Sequence, residues 1–81
     1  MRILNNDTNK ILNDILIVLT KSELIELSGY LEELLNSTPG DVEHFHLNNH
    51  DYSKEITISL YDESNLSKFD ERIKKLILKD E

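Results

Sequence analysis

Polar and apolar side chains alternate strictly in the second half of this chain, and this pattern restricts the local structure that the chain can form there. Phe45 and Leu47 take alternate positions in one stretch, and Ile56, Ile58 and Leu60 take alternate positions in the next. Successive side chains of a β-strand point to opposite faces, so this period of two predicts two half-buried strands. The polar sequence NNHDYS between them predicts a turn, and the pair is therefore expected to form a hairpin.

Two other stretches have the period of an amphipathic helix. The apolar positions of the first, TKSELIELSGYLEELLNS, recur at steps of three and four residues: Leu24, Leu27, Leu31, Leu34 and Leu35. The same spacing in the second, NLSKFDERIKKLILKD, places five side chains on one stripe: Leu66, Phe69, Ile73, Leu76 and Ile77. A stripe of this kind predicts a helix that packs one face against a core.

Both helices carry signals at their first turn. Thr20 and Glu23 fit a capping box for the first helix, and Ser67 with Asp70 provides a cap for the second. Gly29 lies inside the first helix, where glycine costs about 1 kcal/mol relative to alanine. We therefore expect another element to pack closely at Gly29.

The run ILIVL at residues 15–19 is short, β-branched and apolar on both sides, which predicts a strand covered on both faces. The predicted order is β-α-β-β-α. The fold class is then α+β, a three-stranded sheet with two helices packed on one face. A right-handed crossover makes the first two strands parallel. Residues 1–81 are expected to form a single domain. The residues before Ile15 either extend the first strand back towards Lys10 or form a loose N-terminal arm, which would include residues 1–9.

The composition of the chain excludes several kinds of site and disfavours several kinds of partner. The 81 residues include no cysteine, which excludes disulfides, thiolate metal ligands and a thiol nucleophile. Nine basic and sixteen acidic residues give a net charge of -7, which disfavours direct binding to nucleic acid or to an anionic membrane. The N-terminus has no signal-peptide pattern, and the longest apolar run is too short to cross a bilayer. These observations predict a cytoplasmic protein whose partner, if any, is basic.

The alternation in the hairpin also defines its polar face. If Leu47 lies opposite Ile56, then His46 faces Thr57 and His44 faces Ser59. The complete set of side chains on this face is His44, His46, Glu55, Thr57, Ser59 and Tyr61. A sheet face of this kind predicts contact with another protein, or a homodimer through the sheet face.

Two chemical alternatives remain open for the histidines. Imidazoles at alternate positions of a strand can converge on a metal ion, with Glu55 or His50 as a third ligand, which gives a metal- or small-ligand-binding homodimeric module. His44 or His46 paired with Glu55 could also act in acid-base catalysis, but a flat sheet face offers no cleft, nucleophile or oxyanion hole. Plain cross-strand packing or an interface role for the histidines is the favoured interpretation, with no enzyme activity and no cofactor. His50 and Asp51 are interpreted as a turn-forming pair.

The acidic residues have two interpretations. They form either a solvated surface that keeps the protein soluble or a docking surface that steers a basic partner, with Glu26 and Glu33 among its binding residues. The residues of this set are Glu23, Glu26, Glu32, Glu33, Asp41, Glu43, Asp62 and Glu63. Three tyrosines are the natural anchors of such an interface: Tyr30, Tyr52 and Tyr61.

The sequences LTKSELIELSGYLEELL and HFHLNNHDYSKEITISLYDESNLSKFDERI resemble small bacterial immunity proteins of polymorphic-toxin systems and their relatives. In these proteins a strand and a helix lead into a His-x-His strand, a Glu-Ile-Thr strand and a closing helix. His44, His46, Glu55 and Thr57 match that pattern. The resemblance implies a stoichiometric inhibitor that binds and neutralises a dedicated toxin without chemistry of its own, and it assigns no binding residues. The acidic charge of the chain separately predicts a basic partner, such as a toxin or a nucleic-acid enzyme.

Overall fold

The computed structural model describes residues 1–81, which form two helices and two separate hairpins. The elements in chain order are β1 (Leu4–Asn5), β2 (Lys10–Ile11), α1 (Lys21–Leu35), β3 (His44–Asn48), β4 (Glu55–Ser59) and α2 (Glu71–Lys79). Strand β1 pairs antiparallel with β2, and β3 pairs antiparallel with β4. The α+β class is therefore confirmed.

The predicted three-stranded sheet is wrong. Residues 15–19 lie between β2 and α1 without pairing to any strand, and the two hairpins do not join. Leu16 and Val18, expected to be covered, are 87% and 84% exposed. The reason is that strand propensity measures how well a side chain fits a half-buried pleated surface, so it predicts a strand only where a partner edge is present.

The hairpin of β3 and β4 has the predicted register. Leu47 lies opposite Ile56, and the strands therefore place His46 opposite Thr57. The turn between them is held by side chains: the Lys54 amide donates to Asn49 Oδ1 at 3.0 Å, and the Ser53 amide donates to an Asp51 carboxylate oxygen at 3.0 Å. The Asp51 bond confirms the interpretation of this residue as turn-forming.

Helix α1 begins at the predicted capping box. The Glu23 amide donates to Thr20 Oγ1 at 3.2 Å, and the Thr20 amide donates to Glu23 Oε1 at 2.9 Å. The hydrogen bond from the Thr20 backbone holds the pKa of Glu23 below its usual value. The helix then packs on β3, where the Tyr30 and Phe45 rings stack with centroids 5.0 Å apart.

Helix α2 begins later than its sequence pattern indicates. Asp70 is the N-cap and accepts from the Ile73 amide at 2.8 Å, whereas Ser67 lies in a separate 3-10 turn. Neither helix is long and apolar enough to cross a bilayer.

The two helices do not share one face of a sheet, which is a second correction. Helix α2 contacts the N-terminal residues instead: Arg2 Nε donates to the Leu76 carbonyl at 3.0 Å, and Arg72 Nε donates to Asn9 Oδ1 at 2.7 Å. Hydrophobic periodicity identifies the buried stripe of α2 but does not specify the surface that covers it.

The core is small. Only five of the 81 residues are buried, and four of them are apolar: Leu34, Leu47, Leu76 and Ile77. The fifth is Asn65, which is 3% exposed. Its Nδ2 donates to the Asp41 carbonyl at 2.9 Å and to the Leu60 carbonyl at 3.0 Å, while its Oδ1 accepts from the Asp62 amide at 3.0 Å. Asn65 therefore joins the segment before β3, at Asp41, to the segment after β4, at Leu60 and Asp62.

No element packs at Gly29, contrary to the expectation, because a side-chain carbon built there has no neighbour within 4 Å. Replacing Gly29 by alanine should therefore raise the free energy of unfolding by about 1 kcal/mol, since alanine loses less backbone entropy in a helix. Chemical denaturation of the two proteins at one concentration measures the change. A loss of stability in Gly29→Ala would contradict the open surface at this point of α1.

Candidate functional site

The first candidate surface is the polar face of the β3–β4 hairpin. The rings of His44 and His46 meet edge to face with centroids 4.9 Å apart. His46 Nδ1 lies 2.7 Å from Glu55 Oε1 and 2.9 Å from Thr57 Oγ1. Thr57 is directly opposite His46, whereas Glu55 reaches it diagonally from its place opposite Asn48. The structure therefore brings together four of the side chains that the alternation assigned to this face.

The chemistry open to this cluster follows from its exposure. The side chains of His46 and Glu55 are 44% and 50% exposed, so water screens their charges and competes for their hydrogen bonds. No group of three or more histidine, aspartate or glutamate side chains is placed to hold a metal ion. His50, proposed as a third ligand, lies in the hairpin turn. The arrangement offers hydrogen-bond donors and acceptors to a partner on an exposed surface.

The rest of the predicted polar face borders a groove. Thr57, Ser59 and Tyr61 line it together with residues of α2 and of the N-terminal segment, including Leu4 and Ile73. The groove has a volume of about 300 Å³. The Ser59 hydroxyl is already engaged, because it donates to the Glu43 carbonyl at 2.7 Å. All six residues of the predicted face are exposed, and three of them also line this groove.

The second candidate surface is acidic and centres on α1. Residues 22–53 contain seven aspartates and glutamates and no lysine or arginine. Glu32, Glu33 and Glu43 line a shallow depression of about 550 Å³ at the C-terminal end of α1, together with polar residues and Gly29. We call this region the acidic surface and define it by Glu26, Glu32, Glu33 and Glu43.

The charge of the acidic surface is not compensated locally. The four ion pairs of the protein join Arg2 to Asp80, His46 to Glu55, Lys74 to Glu71 and Lys75 to Glu81, so none involves a residue of α1. The last turn of α1 also has no basic residue. Because the carboxyl end of a helix carries a partial negative charge, the helix dipole adds to the field of Glu32 and Glu33.

Glu26 and Glu33 have different surroundings, although both were assigned to binding. Tyr30 donates its hydroxyl hydrogen to Glu26 Oε1 at 2.6 Å, and this bond raises the pKa of Tyr30. Glu33 is exposed, and none of its side-chain atoms takes part in a hydrogen bond or ion pair within the chain. Glu26 therefore also braces the Tyr30 ring that stacks on Phe45, while Glu33 is free to meet a partner.

The three tyrosines occupy different settings. Tyr30 stacks on Phe45, and Tyr61 borders the groove. Tyr52 is 78% exposed at the hairpin tip and has a φ of 59°, a left-handed conformation uncommon for an aromatic residue. The hydrogen-bonded turn around it holds the ring outward, which the sequence pattern did not indicate.

Comparisons of the chain with protein-family models, with curated proteins and with solved structures find no match. The resemblance to immunity proteins therefore stays a prediction.

Proposed function

We propose that this protein is a protein-binding module of the bacterial cytoplasm that binds a basic partner through its acidic surface and inhibits it stoichiometrically, without chemistry of its own. The observation that carries the proposal is the separation of charge along the chain. Residues 22–53 hold seven acidic side chains and no basic ones, while five of the nine lysines and arginines lie in residues 68–79.

Such a separation favours encounter with a basic surface. Single-sign charge on one side of a small protein raises the association rate of an oppositely charged partner, and this effect weakens as salt screens the field. The acidic residues of α1 have no internal ion pairs, so binding a basic partner breaks no intramolecular ion pair there. The same property distinguishes them from Glu71, which pairs with Lys74.

The position of the acidic surface also works against stability. Carboxylates near the negative end of a helix are unfavourable by about 0.3–1 kcal/mol each. Glu32 and Glu33 lie at this end of α1 with no basic residue in the last turn. Side chains that destabilise their own helix without an evident structural gain are typical of a surface used for binding.

Two further surfaces supply contacts of a different kind. The exposed Tyr52 ring at the hairpin tip can enter an apolar pocket of the partner, because tyrosine is a frequent anchor of protein interfaces. His44 and His46 offer hydrogen bonds on the polar face of the hairpin.

The test is to purify the tagged protein gently from its own host and record a native mass spectrum. We expect the wild-type protein to carry a second protein in a stoichiometric complex. Reversing two charges of the acidic surface, Glu26→Lys with Glu33→Lys, should lower the association rate with that protein about tenfold or more at low salt. The reduction should shrink as salt is added.

The control reverses two charges outside the acidic surface, Glu63→Lys with Glu71→Lys, and changes the net charge by the same amount. The control should associate at close to the wild-type rate. Equal slowing in both variants indicates that net charge alone steers the partner. An unchanged rate in Glu26→Lys/Glu33→Lys, or no bound protein in the wild-type spectrum, would remove the proposed function.

A further inference from the structure

An apolar segment, residues 15–19, is left without a partner in the structure. The segment lies between a bend at Asn13 and the start of α1, contains no turn or bend itself, and none of its backbone amides or carbonyls takes part in a backbone hydrogen bond. Leu16 and Val18 are 87% and 84% exposed, and Ile15 and Ile17 are 45% and 46% exposed. Proteins normally protect such a strand edge with lysine, proline or a bulge, and this segment has none of these features.

The chain as a whole is also more open than a monomer of its size. Its accessible surface is 6444 Å², whereas a compact monomer of its mass exposes about 5,000 Å². Its radius of gyration is 13.5 Å, against about 12 Å for a compact chain of this length. The excess surface is about 1,400 Å² for each chain, and two chains together match the 2,000 Å² or more that obligate homodimers bury.

We propose that residues 15–19 pair antiparallel with the same residues of a second copy of this chain, forming a two-stranded ribbon across a two-fold axis. Both copies then satisfy the backbone groups of the segment and cover its apolar side chains. Leu24 and Ile25, which are 56% and 64% exposed in the first turns of α1, lie close in sequence and can extend the interface.

The register follows from the sequence. A two-fold axis through such a pair of strands places one residue opposite its own copy, because opposed side chains must point to the same face. With Ile17 at the axis, Leu16 faces Val18 and Ile15 faces Leu19, so every apolar side chain meets another. A shift of one residue along each strand places Val18 opposite Asp14, or Leu16 opposite the N-cap residue Thr20.

Self-pairing also fits the charges. Residues 15–19 carry none, so the strongly negative chains meet at a neutral segment. At its ends the register about Ile17 places Asp14 opposite Thr20 and Asn13 opposite Lys21, and no like charges face each other. The polar face of the hairpin, by contrast, would bring Glu55 and the histidines against their own copies. The inferred interface is therefore distinct from the acidic surface, the Tyr52 tip and the polar face of the hairpin, and it does not depend on the proposed function.

The first test is the mass in solution, measured by sedimentation equilibrium at high micromolar concentration. We expect twice the chain mass for the wild-type protein. Leu16→Lys with Val18→Lys should reduce it to the chain mass, because lysines then enter the neutral interface. Both positions are highly exposed, so the fold of each chain should survive, and circular dichroism checks this. Leu35→Lys, at a position that is 79% exposed near the other end of α1, is the matched control and should remain dimeric.

The second test uses the absence of cysteine from the chain. In the proposed register Ile17→Cys lies opposite itself, at a Cα separation of about 4.5–5.5 Å that suits a disulfide. Ile15→Cys is equally exposed but lies about 13 Å from its own copy along the ribbon. Mild oxidation should therefore link Ile17→Cys into a covalent dimer and leave Ile15→Cys mostly unlinked on a non-reducing gel.

Several outcomes would overturn the inference. These are a monomeric wild-type protein, a dimer that Leu16→Lys/Val18→Lys leaves intact, and equal cross-linking at positions 15 and 17. The inference is also overturned if residues 15–19 are covered by a different protein from the host and not by a second copy of this chain. The mass and the cross-linking are measured on the isolated chain, whereas the charge reversal is measured with the bound partner. Either proposal can therefore fail while the other holds.

Discussion

Replacing Leu47 by alanine is expected to lower the free energy of unfolding by about 3 kcal/mol, the largest effect of any single truncation in this protein. Leu47 is 3% exposed, less than any other apolar residue. It lies on the face of β3 where Phe45 stacks against α1. Because only four apolar residues are buried, little remains that can move to fill the cavity. A domain with a core of this size has a small margin of stability to lose.

Urea denaturation of the wild-type and Leu47→Ala proteins measures this effect. Both must be studied at one protomer concentration, since stability that depends on a dimer varies with concentration. Leu35→Ala is the matched control, because it removes the same atoms at a position that is 79% exposed and should change stability little. Equal losses in the two variants would show that Leu47 is not the centre of the packing between α1 and β3.

Replacing Asn65 by alanine is expected to lower the free energy of unfolding by about 2–3 kcal/mol. The variant loses three hydrogen bonds at a buried site, each of which contributes about 0.5–1.5 kcal/mol. It also leaves the carbonyls of Asp41 and Leu60 and the amide of Asp62 without their partner. Unsatisfied buried groups add a desolvation penalty, so the effect should exceed that of an exposed asparagine.

The control for Asn65→Ala is Asn36→Ala. Asn36 Nδ2 donates to the Glu32 carbonyl at 3.0 Å, but this residue is exposed and water replaces the bond. Asn65→Asp tests the donor and acceptor roles of the Asn65 side chain separately. It keeps the acceptor for the Asp62 amide but places a carboxylate oxygen against the two carbonyls. This variant should therefore be no more stable than Asn65→Ala. An Asn65→Asp protein of wild-type stability would contradict the assigned donor role.

Much of the candidate site follows from short-range patterns. Because side chains alternate along a strand, the sequence predicts that His44 and His46 share a face and that His46 lies opposite Thr57, and the structure confirms this register. The cluster of acidic side chains along α1 is likewise a property of neighbouring positions. The absence of ion pairs to these side chains could not be predicted in the same way, because it depends on where the basic residues of α2 come to lie.

Other parts of the site require the tertiary structure. Thr57, Ser59 and Tyr61 are exposed, but the groove that α2 and the N-terminal hairpin form beside them had no signal in the sequence. Asn65 gave no signal in the sequence, because a buried asparagine is recognised only by its distant partners, such as Asp41. Tyr52 is held outward by the hydrogen bonds of its turn, and no periodic pattern encodes that conformation.

Local patterns were enough to predict the β3–β4 hairpin with its register, the capping box of α1 and the apolar positions of α2. Three features could be learned from the folded chain alone: residues 15–19 remain unpaired, α2 packs with the N-terminal residues, and the two hairpins stay separate. Periodicity records which side chains avoid water. It does not record which surface covers them, because that depends on groups far apart in the chain or in a second copy of it.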